Sequence, residues 1–258
     1  MERSFILPHG ELQIPCTLTM PASGQVCRVV LGVHGLGGSM NDAIQTGIAE
    51  EMALFSSAAV RFDLPAHGSN PESDRTLSLK NCREALLAVA RWIRAEFPDV
   101  EDLCIFATGF GAYVTLTVLE ELTQMPGRVK LVVQTPSVAM HATILSMIRK
   151  TRETLWAIDQ VTLPAPRPLE VTYGFYEELY SHIVLAPQPI PMLILHGEED
   201  DYIRMEDIQN FRRINERSKL VIIPGASHQF LEEGAWDMVL DLTRDWFSFE
   251  QVLLCDWE

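Results

Sequence analysis

The stretch that decides the fold is Asp102-Leu103-Cys104-Ile105-Phe106-Ala107-Thr108-Gly109-Phe110-Gly111-Ala112. Residues 102–107 read as a buried strand, and a helical pattern follows over about 110–123. Between them lies a turn centred on Gly109, with small residues, Ala107 and Gly111, two positions to either side. An apolar strand that runs through a Gly-containing turn into a helix is the repeating unit of an α/β protein.

The same unit recurs outward in both directions. Upstream, a strand over 28–34 runs into His34-Gly35-Leu36-Gly37-Gly38 and a helix over 42–57. A strand over 58–63 is followed by Asp63-Leu64-Pro65-Ala66-His67-Gly68 and a helix over about 78–96. Downstream, strands are predicted at 129–134, 191–195 and 219–223, and helices at about 205–215 and 230–248. The last two strands end at His196-Gly197-Glu198-Glu199-Asp200 and run on to Gly225-Ala226-Ser227-His228. Apolar strands alternating with helices predict a mainly parallel sheet covered on both faces. Segments 3–8 and 11–19, with a turn between them, predict an antiparallel lead-in.

Residues 137–187 break this rhythm. Two helix-like pieces, MHATILSMIRKTRETLWAI (140–158) and YGFYEELYSHIV (173–184), flank a Pro-rich break, TLPAPRPLE (162–170), with no strong core strand between them. Ligands in open parallel sheets bind beyond the carboxyl ends of the strands, so the expectation is a cap or lid over that end. Two extra packing helices with no part in binding are the other reading. The expected organisation is a core domain of residues 1–136 and 188–258 with an inserted cap of residues 137–187.

Composition narrows the function class. Of 258 residues, 20 are Lys or Arg and 35 are Asp or Glu, a formal charge of −15, which argues against nucleic acid or an anionic membrane as partner. Five cysteines, Cys16, Cys27, Cys82, Cys104 and Cys255, are dispersed with no C-x-x-C pair, as in a reducing compartment. No signal peptide is evident and no apolar run approaches the roughly 20 residues of a membrane span, so the expected location is cytoplasmic. The Gly-rich turn at 34–38 has no P-loop lysine after it, and no cofactor or metal is expected.

The loop motifs together resemble the α/β-hydrolase superfamily over nearly the whole chain. HGLGG matches the oxyanion loop, DLPAHGSN the usual D-x-P-G-H-G-x-S, HGEEDDYI the acid loop and GASHQF the histidine loop. The stretch YGFYEELYSHIVLAP leading into IPMLILHGEEDDYI is similar to small carboxylesterases of the feruloyl and cinnamoyl esterase type. The resemblance implies an α/β-hydrolase fold, with a mainly parallel eight-stranded-type sheet flanked by helices and a helical cap after the sixth core strand. It also implies hydrolysis of a small carboxylic ester through a nucleophile–His–Asp triad, by a monomer or homodimer.

Chain order in that family is nucleophile, acid, histidine, which falls here on position 109, Asp200 and His228. The backbone N–H groups of Leu36 and Phe110 would form the oxyanion hole. Neighbouring Glu198, Glu199 and Asp201 read as a solvated acidic loop. His34 and His67 are expected to shape their loops, His196 to be structural, and His9 and His182 to lie on the surface. Met140, His141, Trp156, Tyr173 and Tyr176, with Phe175, are candidate pocket walls; packing of the cap on the body explains them equally well.

The departure from the family is at the nucleophile. The elbow reads Ala107-Thr108-Gly109-Phe110-Gly111, with glycine where serine is expected. Shifting the frame to Thr108 would place Phe106 and Phe110 at the tight helix–strand contact. Cys104 reads as a core thiol and Ser137 as a turn residue. Glycine accepts the positive φ of an elbow with little strain. A natural loss of the nucleophile and a deliberate replacement both fit, and either removes the serine acyl-enzyme route. A non-catalytic ligand- or partner-binding homologue, or an amide or thioester hydrolase, are the rival readings.

Overall fold

A computed structural model of the protein describes residues 1–70, 77–163 and 168–248. The strands and helices follow in chain order as β1 (Glu2–His9), β2 (Leu12–Thr19), β3 (Arg28–Val33), α1 (Ala43–Leu54), β4 (Ser57–Phe62), α2 (Leu79–Glu96), β5 (Asp102–Thr108), α3 (Gly109–Thr117), α4 (Leu119–Thr123) and β6 (Arg128–Gln134). Then come α5 (Met140–Ile148), α6 (Arg152–Ile158), β7 (Gln160–Leu163), β8 (Leu169–Thr172), α7 (Tyr173–Ser181), β9 (Leu193–Gly197), α8 (Met205–Ile214), β10 (Lys219–Ile223) and α9 (Ala235–Ser248). Cys255 and residues 164–167 of the Pro-rich break lie outside the described residues.

Eight strands form one sheet in the order β1-β2-β4-β3-β5-β6-β9-β10. The lead-in pairs antiparallel, β1 with β2 and β2 with β4, and the remaining neighbours are parallel. Alternation along the central strands feeds two apolar layers. Val29, Leu31, Val33, Leu103, Ile105 and Ala107 pack into the layer that holds α2, α3 and the 140–184 region. Val30, Cys104 and Phe106 face the opposite layer with Ile48, Met52, Val239 and Phe247 from α1 and α9. Side chains on a strand alternate between faces, so a strand covered on both sides must be apolar along its covered length, as β3 is over 29–33 and β5 over 103–107.

The strand order reverses its direction of growth between β3 and β5. The loops that leave these two neighbours diverge and open a crevice at their carboxyl ends, the usual ligand position of such sheets. Both the 34–38 turn and the Gly109 turn lie at this crevice.

Three expectations are corrected. The helix over 110–123 breaks at Val118 into α3 and α4. Thr115 Oγ1 donates back to the Gly111 carbonyl at 2.8 Å and Thr117 Oγ1 to that of Val114 at 2.7 Å, which competes with the helical ladder near its end. The last helix begins at Ala235 instead of 230, because Phe230 and Gly234 take positive φ values of 55° and 76°. The 140–158 piece is two helices, since Arg149 ends α5 in the left-handed region and Thr151 caps α6, accepting from Thr154 N at 3.2 Å. The segments on either side of the Pro-rich break pair antiparallel as β7 and β8, and these four-residue strands are too short to show a period in sequence.

Helix α7 is fastened to the sheet-flanking helices. Glu178 accepts from Leu79 N at the start of α2 at 2.5 Å. Tyr113 Oη donates to the Leu179 and His182 carbonyls at 3.1 and 2.8 Å. Its buried Phe175 meets Phe110 edge-on at 6.1 Å. The region between β6 and β9 therefore rests directly on the helix that starts at the Gly109 turn.

Candidate active site

The 34–38 turn is held by its own histidine. His34 Nδ1–H donates to the Gly35 carbonyl at 2.8 Å, and Nε2 accepts from Leu64 N at 3.1 Å. That pattern requires a neutral ring, and burial keeps it so, lowering the pKa against the opposing pull of the Gly35 carbonyl, Asp63 and Asp42. Asp63, also buried, accepts from Met40 N at 2.7 Å and from Ser69 N and Oγ at 2.7 and 2.8 Å. It stitches the turn after β3 to the one after β4. His67 Nδ1 donates to the Pro65 carbonyl at 2.8 Å, and its ring stacks over Phe110 at 6.0 Å. Both histidines shape loops, as their positions in the sequence suggest.

The turn after β5 has the backbone of an elbow. Gly109 has φ +49°, whereas Thr108 is still extended at φ −117°, ψ 139°. The reversal is therefore centred on 109 and not on 108. A Cβ on Gly109 would meet nothing nearer than Gly35 Cα at 3.9 Å, so a side chain fits there and points toward the 34–38 turn. At Gly111 the opposite holds: a Cβ would overlap the His34 carbonyl oxygen, and only glycine lets α3 approach β3 so closely. Ser137 N donates to the Gly109 carbonyl at 3.2 Å and pins the turn from the β6 side.

Phe110 N–H lies in the first turn of α3, where no intrahelical acceptor exists. No backbone hydrogen bond among the described residues uses it or Leu36 N–H as donor. Both groups thus remain available to an oxyanion, beside the positive end of α3. Cys104 is a core thiol: burial pushes its pKa up to about 12 and leaves it inert.

The acid and histidine loops meet at the ends of β9 and β10. Asp200 Oδ2 accepts from His228 Nδ1 at 2.9 Å, while Oδ1 accepts from Tyr202 N and Ile203 N, both at 2.9 Å. Its side chain is fully buried, and that of His228 is 29 % exposed. Burial works against the Asp200 charge. The hydrogen bond and charge of His228 and the Ile203 and Tyr202 N–H groups outweigh it, and the carboxyl is held below its ordinary range. His228 Nε2 makes no hydrogen bond among the described residues and faces outward from the pair. His196, buried behind the pair with Nδ1 at 3.8 Å from Asp200 Oδ2, has its pKa lowered by burial and is structural.

Two residues of this arm are not singled out by sequence. Glu198 accepts from Gly225 N at 3.0 Å and ties the acid loop to the histidine loop, although it reads as a solvated carboxylate. Tyr202 lies with its ring 5.0 Å from that of His228. Its position two residues past the acid, in DDYI, was the available signal. The loops also touch through Glu199 N, which donates to the Ala226 carbonyl at 2.9 Å.

The other candidates separate by placement. Met140 and Tyr176 are buried in the apolar layer beneath the inserted region. His141 is half-buried against Tyr180, ring to ring at 5.6 Å, and burial lowers its pKa. Tyr173, Tyr176 and Tyr180 stack along α7 at 5.9 and 6.2 Å, with Arg152 over the last two. Trp156 is 69 % exposed on α6, with little of its ring against any wall. His182 is no plain surface residue: it accepts from Arg83 Nη1 at 3.2 Å at the α7–α2 joint.

No cluster of His, Cys, Asp and Glu among the described residues could hold a metal ion, and no helix there is long and apolar enough to cross a membrane. The sequence model of the alpha/beta hydrolase family matches residues 30–242. Est1E from Butyrivibrio proteoclasticus, solved with ferulic acid bound, is 17% identical over 93% of this chain and 96% of its own, with a TM-score of 0.80. The esterase domain of a Rhodothermus marinus protein is 17% identical over 95% and 97%, with a TM-score of 0.71. XC6422 from Xanthomonas campestris, a serine hydrolase without a lid, is 18% identical over 97% of each chain, with a TM-score of 0.66. A comparison with curated proteins gives no match.

Proposed function

The chain belongs to the alpha/beta hydrolase family, and from that premise we propose that it carries the site of a carboxylic-ester hydrolase whose nucleophile position is occupied by Gly109. The observation that carries this reading is the Asp200–His228 pair, bonded at 2.9 Å with the acid buried and held ionised. An aspartate in that position orients the imidazole tautomer and stabilises its cation, a role with no purpose in a surface loop. The elbow adds support: φ +49° at Gly109, room for a Cβ, and two N–H donors beside it.

In this reading a serine at 109 would attack the ester carbonyl while His228 Nε2 takes its proton. Leu36 and Phe110 N–H would hold the oxyanion, and His228 would return the proton to the leaving alcohol. As the chain stands, that covalent route is closed. The substrate is a small-molecule ester reaching the crevice beneath residues 137–187, acting as a cap, with Met140, His141, Tyr173 and Tyr176 in its neighbourhood. No nucleic-acid or membrane partner is proposed, and the location is cytoplasmic.

The test is Gly109→Ser with a panel of short aryl and acyl esters. The expected result is a burst of alcohol release and a stable adduct with a fluorophosphonate. A folded Gly109→Ser protein with no gain over the whole panel overturns the reading and favours a ligand-binding homologue.

A further inference from the structure

Gly109 does more than remove a hydroxyl. We infer that this chain, as it stands, hydrolyses esters of acidic alcohols in a single displacement, water attacking from the space in front of Gly109 with His228 as general base. The inference rests on the esterase reading above and concerns a route that the reading does not require.

Three observations carry it. First, the general base is complete without a nucleophile. His228 Nδ1–H is committed to Asp200 at 2.9 Å, which leaves the Nε2 lone pair as the basic atom, with no hydrogen bond to the described residues. Second, the space that a side chain at 109 would enter is bounded by the 34–38 turn, with Gly35 Cα 3.9 Å from the Cβ position. A hydroxymethyl group has two heavy atoms and a water one, so a space that admits the side chain of serine admits a water.

Third, a hydroxyl lies against the turn that bounds that space. Thr108 Oγ1 is 3.5 Å from where a Cβ on Gly35 would stand, and it makes no hydrogen bond among the described residues. The Thr108 hydroxyl and Nε2 give a water two of the partners that an ordered water needs. Thr108 is thus assigned as a positioning residue for the water.

The step balances without any co-reactant. Water oxygen bonds to the carbonyl carbon as its proton passes to His228 Nε2. The carbonyl π electrons move to oxygen, where Leu36 and Phe110 N–H receive them. The tetrahedral anion re-forms C=O and breaks the bond to the alkoxide, which takes the proton from Nε2. The products are one carboxylic acid and one alcohol. Without a covalent intermediate, expulsion depends on the leaving group, so aryl esters turn over and simple alkyl esters do so far more slowly.

The experiment compares the unaltered protein with His228→Ala, Thr108→Val and Gly109→Ala on 4-nitrophenyl acetate and ethyl acetate, with melting curves for each. The unaltered protein is expected to release nitrophenol linearly, without a burst, and to prefer the aryl ester. His228→Ala should lower kcat/KM about 100-fold, the scale of a lost general base. Thr108→Val should lower kcat several-fold with KM unchanged, and Gly109→Ala should lower the rate by filling the water's space. If Gly109→Ala does not fold, the other two variants decide.

Equal rates in the unaltered protein and His228→Ala overturn the inference, as does a burst from the unaltered protein. If Gly109→Ser gains a burst while the unaltered protein shows no His228-dependent rate, the direct route falls and the esterase reading stands.

Discussion

The two arms of the candidate site are built in opposite ways. The acid–histidine arm is made of side chains: Asp200 and His228 in contact, Glu198 bridging to Gly225, Tyr202 against the imidazole. The elbow is made of backbone: a positive φ at Gly109, a carbonyl approach that only Gly111 permits, and two unused N–H groups. Backbone shape there is enforced by neighbours, namely β3 through the His34 carbonyl and β6 through Ser137. It survives whatever side chain stands at 109. Chemistry in the first arm depends on the identity of each residue, and in the second on shape alone.

The largest effect that would break this comparison comes from joining the halves. Gly109→Ser should raise hydrolysis of a reactive ester by at least about 1,000-fold, because nucleophile losses in serine enzymes cost up to about a million-fold. Adding His228→Ala to that variant should erase the gain. Steady-state rates of the two variants check it, and an additive result would show that the arms do not act together.

Next comes the close approach at the elbow. Gly111→Ala forces a methyl group into the His34 carbonyl and should destabilise the fold by about 1–3 kcal/mol. Urea unfolding measures it, and a neutral result would show that α3 can shift without cost.

A smaller cost is expected at position 109 itself. The Cβ meets no neighbour, so Gly109→Ala and Gly109→Ser should each lose only the backbone term, about 1–2 kcal/mol. Equal losses in the two, with activity gained by serine alone, would separate shape from chemistry at one residue.

The smallest effect is in acid stability. His34 and His196 are held neutral by burial, with pKa values below the ordinary 6.5. The unfolded chain then binds more protons below that pH, so stability falls as pH drops through 6.5. Asp200 acts in the same direction, lower on the pH scale. Its folded pKa is depressed, so its contribution is full above the ordinary 3.8 and is lost as pH falls through the lower folded value. Melting temperatures from pH 7 to 3 should decline in two stages, and Asp200→Asn should shrink the second, leaving the part that Asp102, also held below its ordinary range by Arg128 and Lys130, contributes.

Legibility in the sequence followed the strength of the local pattern. The β5 run, the turn at 109 and the two-faced core were readable because apolar strands and glycine turns are set by neighbours one to four residues away. The β7–β8 hairpin was not, since four-residue strands carry no period. The Thr115 and Thr117 hydroxyls that end α3 resemble any helical threonine until their acceptors are known. Glu198 and His182 read as surface groups because their partners, Gly225 and Arg83, lie 27 and 99 residues away.

By itself the sequence determined the sheet class, the turn at which a nucleophile would stand, and the glycine found there, since each rests on local periodicity and residue identity. The family resemblance points to Asp200 among four consecutive acidic residues, and the tertiary structure alone decided how it is held: the turn that closes on Tyr202 N and Ile203 N aims its carboxylate at His228. It also decided that Trp156 faces solvent while Phe175 packs on the elbow helix. Such choices depend on where distant segments come to rest, and pairing across a sheet carries no signature in the residues between.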